Sequence, residues 1–327
     1  MLRTSLLALI LALLPGVAVA KCGRVTIGAM NWNSARVIAN VEKFILIEGF
    51  GCRAETVATT SVPGVTSHVE KGTPDIISEM WINSVQELYE KGVRDGRIVN
   101  AGKILSDGGV EAWWLPKYLA DQHPNIRTVE DLKRNWKLFE DPENPGKGRF
   151  YNCPTGWVCR IVNDNLFAAY GLGDKFVNYD PGSADGLKAS IARAFAQKKP
   201  WVGYYWAPTA VLGRYPMVPL KLGAYTKAGY ECNQRKNCEK PHAGSYPPAE
   251  IFATTTTKFR DENPEAFAFI ANISITNKVM NDVLAWGDQH QAKGPEMAGY
   301  FLKTYPDVWK QWLSDDVAGK VAAALKR

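Results

Sequence analysis

The chain has 327 residues, a formal net charge of +6 at pH 7, 46% hydrophobic residues and 11% aromatic residues. Basic and acidic residues are interspersed, which argues for an ordinary solvated surface and against a nucleic-acid-binding tract. The length allows two domains, and six cysteines, an even number, fit structural disulfides in an oxidising compartment.

Residues 1–20, MLRTSLLALILALLPGVAVA, have the form of an export signal: Arg3, an apolar run from Leu6 to Leu14, and the small residues Ala18-Val19-Ala20. Cleavage is expected after Ala20 and a periplasmic location follows. The run is broken by Pro15 and is shorter than the about 20 residues of a spanning helix. Lys21 ahead of Cys22 argues against a lipoprotein anchor, and no second apolar stretch reaches spanning length.

Beyond the signal, short apolar runs alternate with helical periodicity. The strand RVTIGAM is followed by a helix from about Ser34 to Glu48, with a stripe of Val37, Ile38, Val41, Ile45 and Ile47, ended by Gly49 and Gly51. Then come the strand RAETVAT, a helix begun at Pro63, the strand DIISEMW, a helix near Ser84 to Lys91, and the strand VEAWWLP. This rhythm predicts an α/β fold with mostly parallel sheets and flanking helices. Thr128 is a candidate N-cap with Asp131 three residues on, EDPENPGKGR reads as a loop, and helices are expected over 158–170 and 184–197. WVGYYW, MVPLKL and EIFATTTT read as strands, and the last seventy or so residues as helices. Two lobes are expected: 21–115 with 222–327 as lobe I, and 116–221 as lobe II.

The cysteines suggest three local pairs. Cys153–Cys159 and Cys232–Cys238 close short loops, and Cys22–Cys52 join if the strands they precede are parallel neighbours. No spacing is C-x-x-C and there are four histidines, which argues against a metal site. No cofactor is expected.

Tryptophans recur at strand ends: Trp32 after the first strand, Trp81 after the third, Trp113 in VEAWWLP, Trp157 in the Cys153–Cys159 loop, and Trp206 at the end of WVGYYW. Ligands of open α/β sheets bind outside the carboxyl ends of the strands. Several indole faces around one point attract a quaternary ammonium, which has no N–H to donate and gains about 0.5–2 kcal/mol per ring. The helix beginning at Val158 turns free N–H groups toward the same place, a fitting seat for a carboxylate.

CPTGWVCRIVNDNLFAAYGL, MWINSVQELY, GYYWAPTAVL and FATTTTKFRDENPEAFAFI carry a resemblance to the glycine betaine, proline betaine and choline substrate-binding proteins of ABC importers. The likeness covers essentially the whole mature chain. It implies a two-lobed type II periplasmic-binding-protein fold, a ligand cleft between lobes, a monomer, and an ABC permease of the inner membrane as partner, for osmoprotection or nutrient uptake. It also implies that Trp81, Trp157 and Trp206 form an ammonium cage, that Val158 and Cys159 N–H groups receive a carboxylate, and that Trp32 contributes as in choline binders.

The sequence departs from the betaine pattern at Val85, where a histidine assists with the carboxylate in some relatives; Asn83 and Ser84 are the nearby polar residues. Glu111 shares a strand face with Trp113 by period two. If that face lines the cleft, Glu111 favours a cation such as choline; otherwise it is solvated or paired with Lys117 or Arg160. A receptor for another cationic amine would need several carboxylates, and Glu111, with Glu79 behind it, is what the sequence offers. An exported hydrolase is the remaining alternative: G-x-S-x-G, H-E-x-x-H and P-loop motifs are absent, and His68, His123, His242 and His290 have no evident partner and read as surface or capping residues.

Overall fold

The computed structural model describes residues 22–327; the expected export signal and its cleavage point lie outside the described residues. The strands are β1 Arg24–Met30, β2 Arg53–Thr59, β3 Ile76–Trp81, β4 Ile98–Lys103, β5 Val110–Pro116, β6 Glu140–Asp141, β7 Asn144–Tyr151, β8 Phe176–Tyr179, β9 Gly203–Ala207, β10 Met217–Pro219 and β11 Ile251–Thr256. The helices that position the site are α1 Asn33–Glu48, α2 Ser61–Lys71, α3 Gln86–Arg94, α4 Lys117–Gln122, α5 Val129–Arg134, α6 Val158–Ala169, α7 Ala184–Gln197, α8 Ala210–Arg214 and α9 Lys227–Asn233. Six further α-helices fill most of 257–324.

The strands form two mixed sheets, ordered β2-β1-β3-β11-β4 and β10-β5-β9-β7-β6, with β8 also on β7. In the first, β1 is parallel to β2 and β3, and β11 runs antiparallel to β3 and β4. In the second, β5 is antiparallel to β9, whereas β7 is parallel to β8 and β9. The α1 stripe buries Val37, Ile38, Val41 and Ile45 as periodicity requires, but Ile47 is off it and exposed, and Leu46 takes its place. Gly51, at φ +69°, turns the chain after α1. At α5, Thr128 and Asp131 form a reciprocal capping box.

All three expected disulfides are present: Cys22–Cys52, Cys153–Cys159 and Cys232–Cys238. The first follows from register, because Arg24 faces Arg53 at the start of the parallel pair β1 and β2.

The lobe boundaries fall elsewhere than expected. All of β5 pairs within the second sheet, so the outward crossing lies at 104–109 and not near Leu115. The return is not at Leu222 either. The segment after β10, including α9, packs on α6, where the Asn165 side chain donates to the carbonyls of Asn233 (2.8 Å) and Arg235 (2.9 Å). The chain re-enters lobe I at β11. The two crossings pair with each other: Gly109 and Ala249 exchange backbone hydrogen bonds of 3.0 and 3.1 Å.

Four strands were not foreseen. β4 and β8 lie in stretches without strong alternation. The expected loop EDPENPGKGR is the β6–β7 hairpin, an edge feature whose Pro and Gly residues hide it from pattern reading.

Candidate functional site

The first sheet ends β1 and β3 at the cleft, and the second sheet ends β9 there. This delivers Trp32 (just after β1), Trp81 (the end of β3) and Trp206 (near the end of β9) to one small cavity, and Trp157 closes it from the disulfide loop. The cavity has a volume of about 50 Å³. Trp157 stands edge-on to Trp32 and to Trp206, with ring centroids 5.3 and 5.1 Å apart.

The loop that carries Trp157 is held from several directions. Cys153 is tied to Cys159, the Asn152 carboxamide oxygen accepts from the Cys153 N–H (2.6 Å), and the Asn163 carboxamide donates to the same oxygen (2.8 Å). The Trp157 indole N–H crosses the cleft to the Asn31 side-chain oxygen at 2.5 Å. Beside it, the Val62 N–H of α2 donates to the Gly156 carbonyl (3.2 Å), and the Val158 N–H of α6 donates to Ser61 Oγ (3.1 Å). Farther along the cleft, Asp288 of helix Asn277–His290 accepts from Lys188 of α7 and, at 3.2 Å, from Arg214 of α8. The lobes are therefore closed on each other.

Two buried glutamates supply the polar chemistry of the cavity. Glu79, fully buried on β3, accepts at Oε1 from the indole N–H groups of Trp32 (2.7 Å) and Trp81 (2.9 Å) and from Ser34 Oγ (3.1 Å). Burial raises its pKa, against the pull of these three donors. Glu111 of β5 accepts from Tyr204 Oη at 2.6 Å, and burial pushes its carboxyl up to about 7, with Tyr204 and Ser84 opposing. The Oε2 atoms of both glutamates are buried without a partner. Among the described residues that line the cavity there is no Lys, Arg or His. The potential partners named from sequence are engaged elsewhere: Lys117 with Asp121, and Arg160 with Asp164 and Asp180.

Trp113 does not line this cavity. It is fully buried behind it, donating to Asn163 Oδ1 (2.7 Å) and packing on Phe150 (4.5 Å between centroids). The reason is strand direction. β5 is antiparallel to β9 and pairs Val110 with Ala207 and Glu111 with Trp206, so its amino end, not its carboxyl end, meets the cleft. Asn83 is also outside the lining. Its side chain donates to the Pro248 carbonyl (2.8 Å) and accepts from the Glu250 N–H (2.7 Å), which fastens the returning crossing. Val158 and Cys159 do line the cavity, as does the apolar Val85.

The sequence reading missed Tyr204 and Ser61. Tyr204 could have been found, since it lies two residues before Trp206 and so shares its strand face. Of the histidines, His68 is no surface residue. It is buried, its ring held by the Pro74 carbonyl (2.6 Å) and Thr254 Oγ1 (3.3 Å), and burial lowers its pKa to about 4. No group of three or more His, Cys, Asp or Glu among the described residues is placed to hold a metal.

Residues 23–304 match the family model of the substrate-binding domain of ABC-type glycine betaine transport systems. A curated relative, the trimethylamine N-oxide-binding protein of Pelagibacter ubique (strain HTCC1062), is 27% identical over 188 residues, 56% of this chain and 59% of that protein, so the match spans less than two thirds of that relative. Among solved structures, the glycine betaine/L-proline-binding protein ProX from Borrelia burgdorferi superposes with a TM-score of 0.72 at 17% identity, covering 91% of this chain and 99% of that one. An ABC-transporter choline-binding protein in complex with choline gives 0.71 at 17% identity (93% and 98%), and lactococcal OpuAC with glycine betaine gives 0.67 at 19% (89% and 100%). At these identities the likeness carries the fold, a two-lobed type II periplasmic binding protein. With the family model matched over most of its length, the chain belongs to the substrate-binding domain family of ABC-type glycine betaine transport systems.

Proposed function

We propose that this protein captures a compact trimethylammonium compound bearing one oxygen, of the choline or trimethylamine N-oxide type, in the periplasm and delivers it to an ABC permease of the inner membrane. The observation that carries this reading is the composition of the cavity: four indoles around two buried carboxylates, with no basic side chain among the lining residues. The indole faces suit N-methyl groups, each ring contributing about 0.5–2 kcal/mol when desolvated. Glu111 would meet the oxygen, accepting from a choline hydroxyl when ionised or donating to an N-oxide when protonated. The name of the Pelagibacter relative agrees with the second case.

A betaine carboxylate fits this polar end less well. It would face Glu111 and Glu79, Val85 offers no donor, and the Val158 N–H is already engaged by Ser61. Titration by calorimetry and Trp fluorescence against choline, trimethylamine N-oxide, glycine betaine, proline betaine and carnitine tests this. Choline and the N-oxide are expected to bind at least tenfold more tightly than the three carboxylates. Between pH 6 and 8 the N-oxide should weaken, because protonated Glu111 is lost as pH rises through about 7, and choline should strengthen. Tightest binding by glycine betaine, unchanged in Glu111→Gln, would move the polar end to the α6 N-terminus and refute the proposal.

A further inference from the structure

Glu79 has no part in the reading above beyond its presence, yet its geometry is more constrained than that of Glu111. Two indoles from separate elements, Trp32 before α1 and Trp81 on β3, aim their N–H groups at one oxygen of this carboxyl at 2.7 and 2.9 Å. The carboxyl is fully buried, and its other oxygen has no hydrogen-bond partner. It lies on the cavity wall, where Glu111 and Tyr204 are the other titratable groups. A buried carboxylate needs a compensating charge or a proton. Among the described lining residues no side chain supplies that positive charge, so the compensating group is either the proton or the ligand.

We propose that Glu79 is a positioning and selectivity residue. One oxygen fixes the relative orientation of the Trp32 and Trp81 walls, and the whole carboxylate serves as the counter-charge of the bound ammonium, so that a proton leaves Glu79 for solvent as the cation enters. This rests on the reading of the cavity as an ammonium cage, and it adds a full counter-charge to the preference for a charged ligand that the indole faces already give. A neutral carboxyl in the empty pocket also spares the resting protein an unpaired buried charge. Hydrogen bonding of both indole N–H groups to the same carboxyl makes ring orientation and charge state parts of one unit.

The test uses tetramethylammonium, which has a charged head and no oxygen for Glu111 to meet. It is titrated calorimetrically at pH 7 in two buffers of different ionisation enthalpy into the mature protein, Glu79→Gln and Glu111→Gln. Gln at 79 keeps an oxygen for the two indoles, so the near-UV circular dichroism of the tryptophans should be retained. The expected result is at least tenfold weaker binding in Glu79→Gln, with loss of a buffer-dependent heat that Glu111→Gln retains. A purely structural role for Glu79 would leave that heat in place. As a second measurement on unaltered protein, choline is compared with 3,3-dimethylbutan-1-ol, its uncharged isostere, and at least 100-fold preference for choline is expected. Unchanged affinity and proton release in Glu79→Gln overturns this inference alone. Equal affinity for choline and its uncharged isostere overturns the cation–π reading of the cage together with it. Failure of the unaltered protein to bind any methylated ammonium overturns the cage reading and this inference with it.

Discussion

Glu42 offers a quantitative test of the packing away from the cleft. It sits on α1, fully buried against the first sheet, where Ser78 Oγ donates to its Oε2 at 2.5 Å and its Oε1 has no partner. Burial pushes the carboxyl up to about 8 from an ordinary value of 4.5, against the weaker pull of Ser78. The folded chain therefore keeps a proton over an interval in which the unfolded chain has released it. The stabilisation is complete below the ordinary value and is lost as pH rises through about 8. At about 1.4 kcal/mol per pH unit, the loss across the interval comes to roughly 5 kcal/mol, comparable with the whole stability of many domains. Glu42→Gln removes the titration and keeps an acceptor for Ser78. Urea unfolding followed by Trp fluorescence at pH 5, 6.5 and 8 should show the variant gaining on the unaltered protein as pH rises, by several kcal/mol at pH 8. Glu79 and Glu111 titrate in both proteins, so the difference isolates Glu42. Parallel pH profiles would refute the assignment of a buried, protonated Glu42.

Other outcomes follow from the same structure. Asp288→Asn removes the bridge from lobe I to Lys188 and Arg214. Burial lowers the Lys188 pKa, so part of the attraction only offsets desolvation, and a net of about 1 kcal/mol is reasonable for a half-buried pair. Ligand dissociation in stopped flow should be about fivefold faster at low salt, with the difference shrinking at high salt; an unchanged rate would rule out a latch. Replacing Cys153 and Cys159 together by Ser should cost about 2 kcal/mol of stability on the chain-entropy account, and at least tenfold in ligand affinity because Trp157 loses its mount. Affinity equal to that of the unaltered protein would make the disulfide scaffolding only. Trp113→Phe should lose about 1 kcal/mol with its hydrogen bond to Asn163, yet leave ligand affinity within twofold. An affinity loss as large as that of Trp206→Phe would return Trp113 to the cage.

The sequence was informative where a single local rule governs. Strands β1, β2 and β5 have the expected ends because their apolar runs are bounded by Gly, Thr and Pro signals. The Trp157 loop was legible because two cysteines bracket an indole and a helix follows. What escaped depends on non-local pairing. Whether Trp113 or Glu111 reaches the cleft is decided by the antiparallel direction of β5 against β9, which one strand's own residues do not state. The lobe boundary failed for the same reason, since β5 looks like one more strand of the first sheet until its partners are known. Glu79 was ranked behind Glu111 although, two residues before Trp81, it shares that strand face by period two. Only the fold brings the Trp32 indole and the Ser34 hydroxyl to the same oxygen.

The most direct test of the central claim is a crystal structure of the mature protein with choline, and in parallel with trimethylamine N-oxide, at pH 6 to 7. The account calls for the trimethylammonium group to lie among Trp32, Trp81, Trp157 and Trp206 beside Glu79, with the ligand oxygen within hydrogen-bond distance of Glu111. A ligand oxygen turned to the N–H groups at the start of α6, or a ligand bound outside the four indoles, would contradict it.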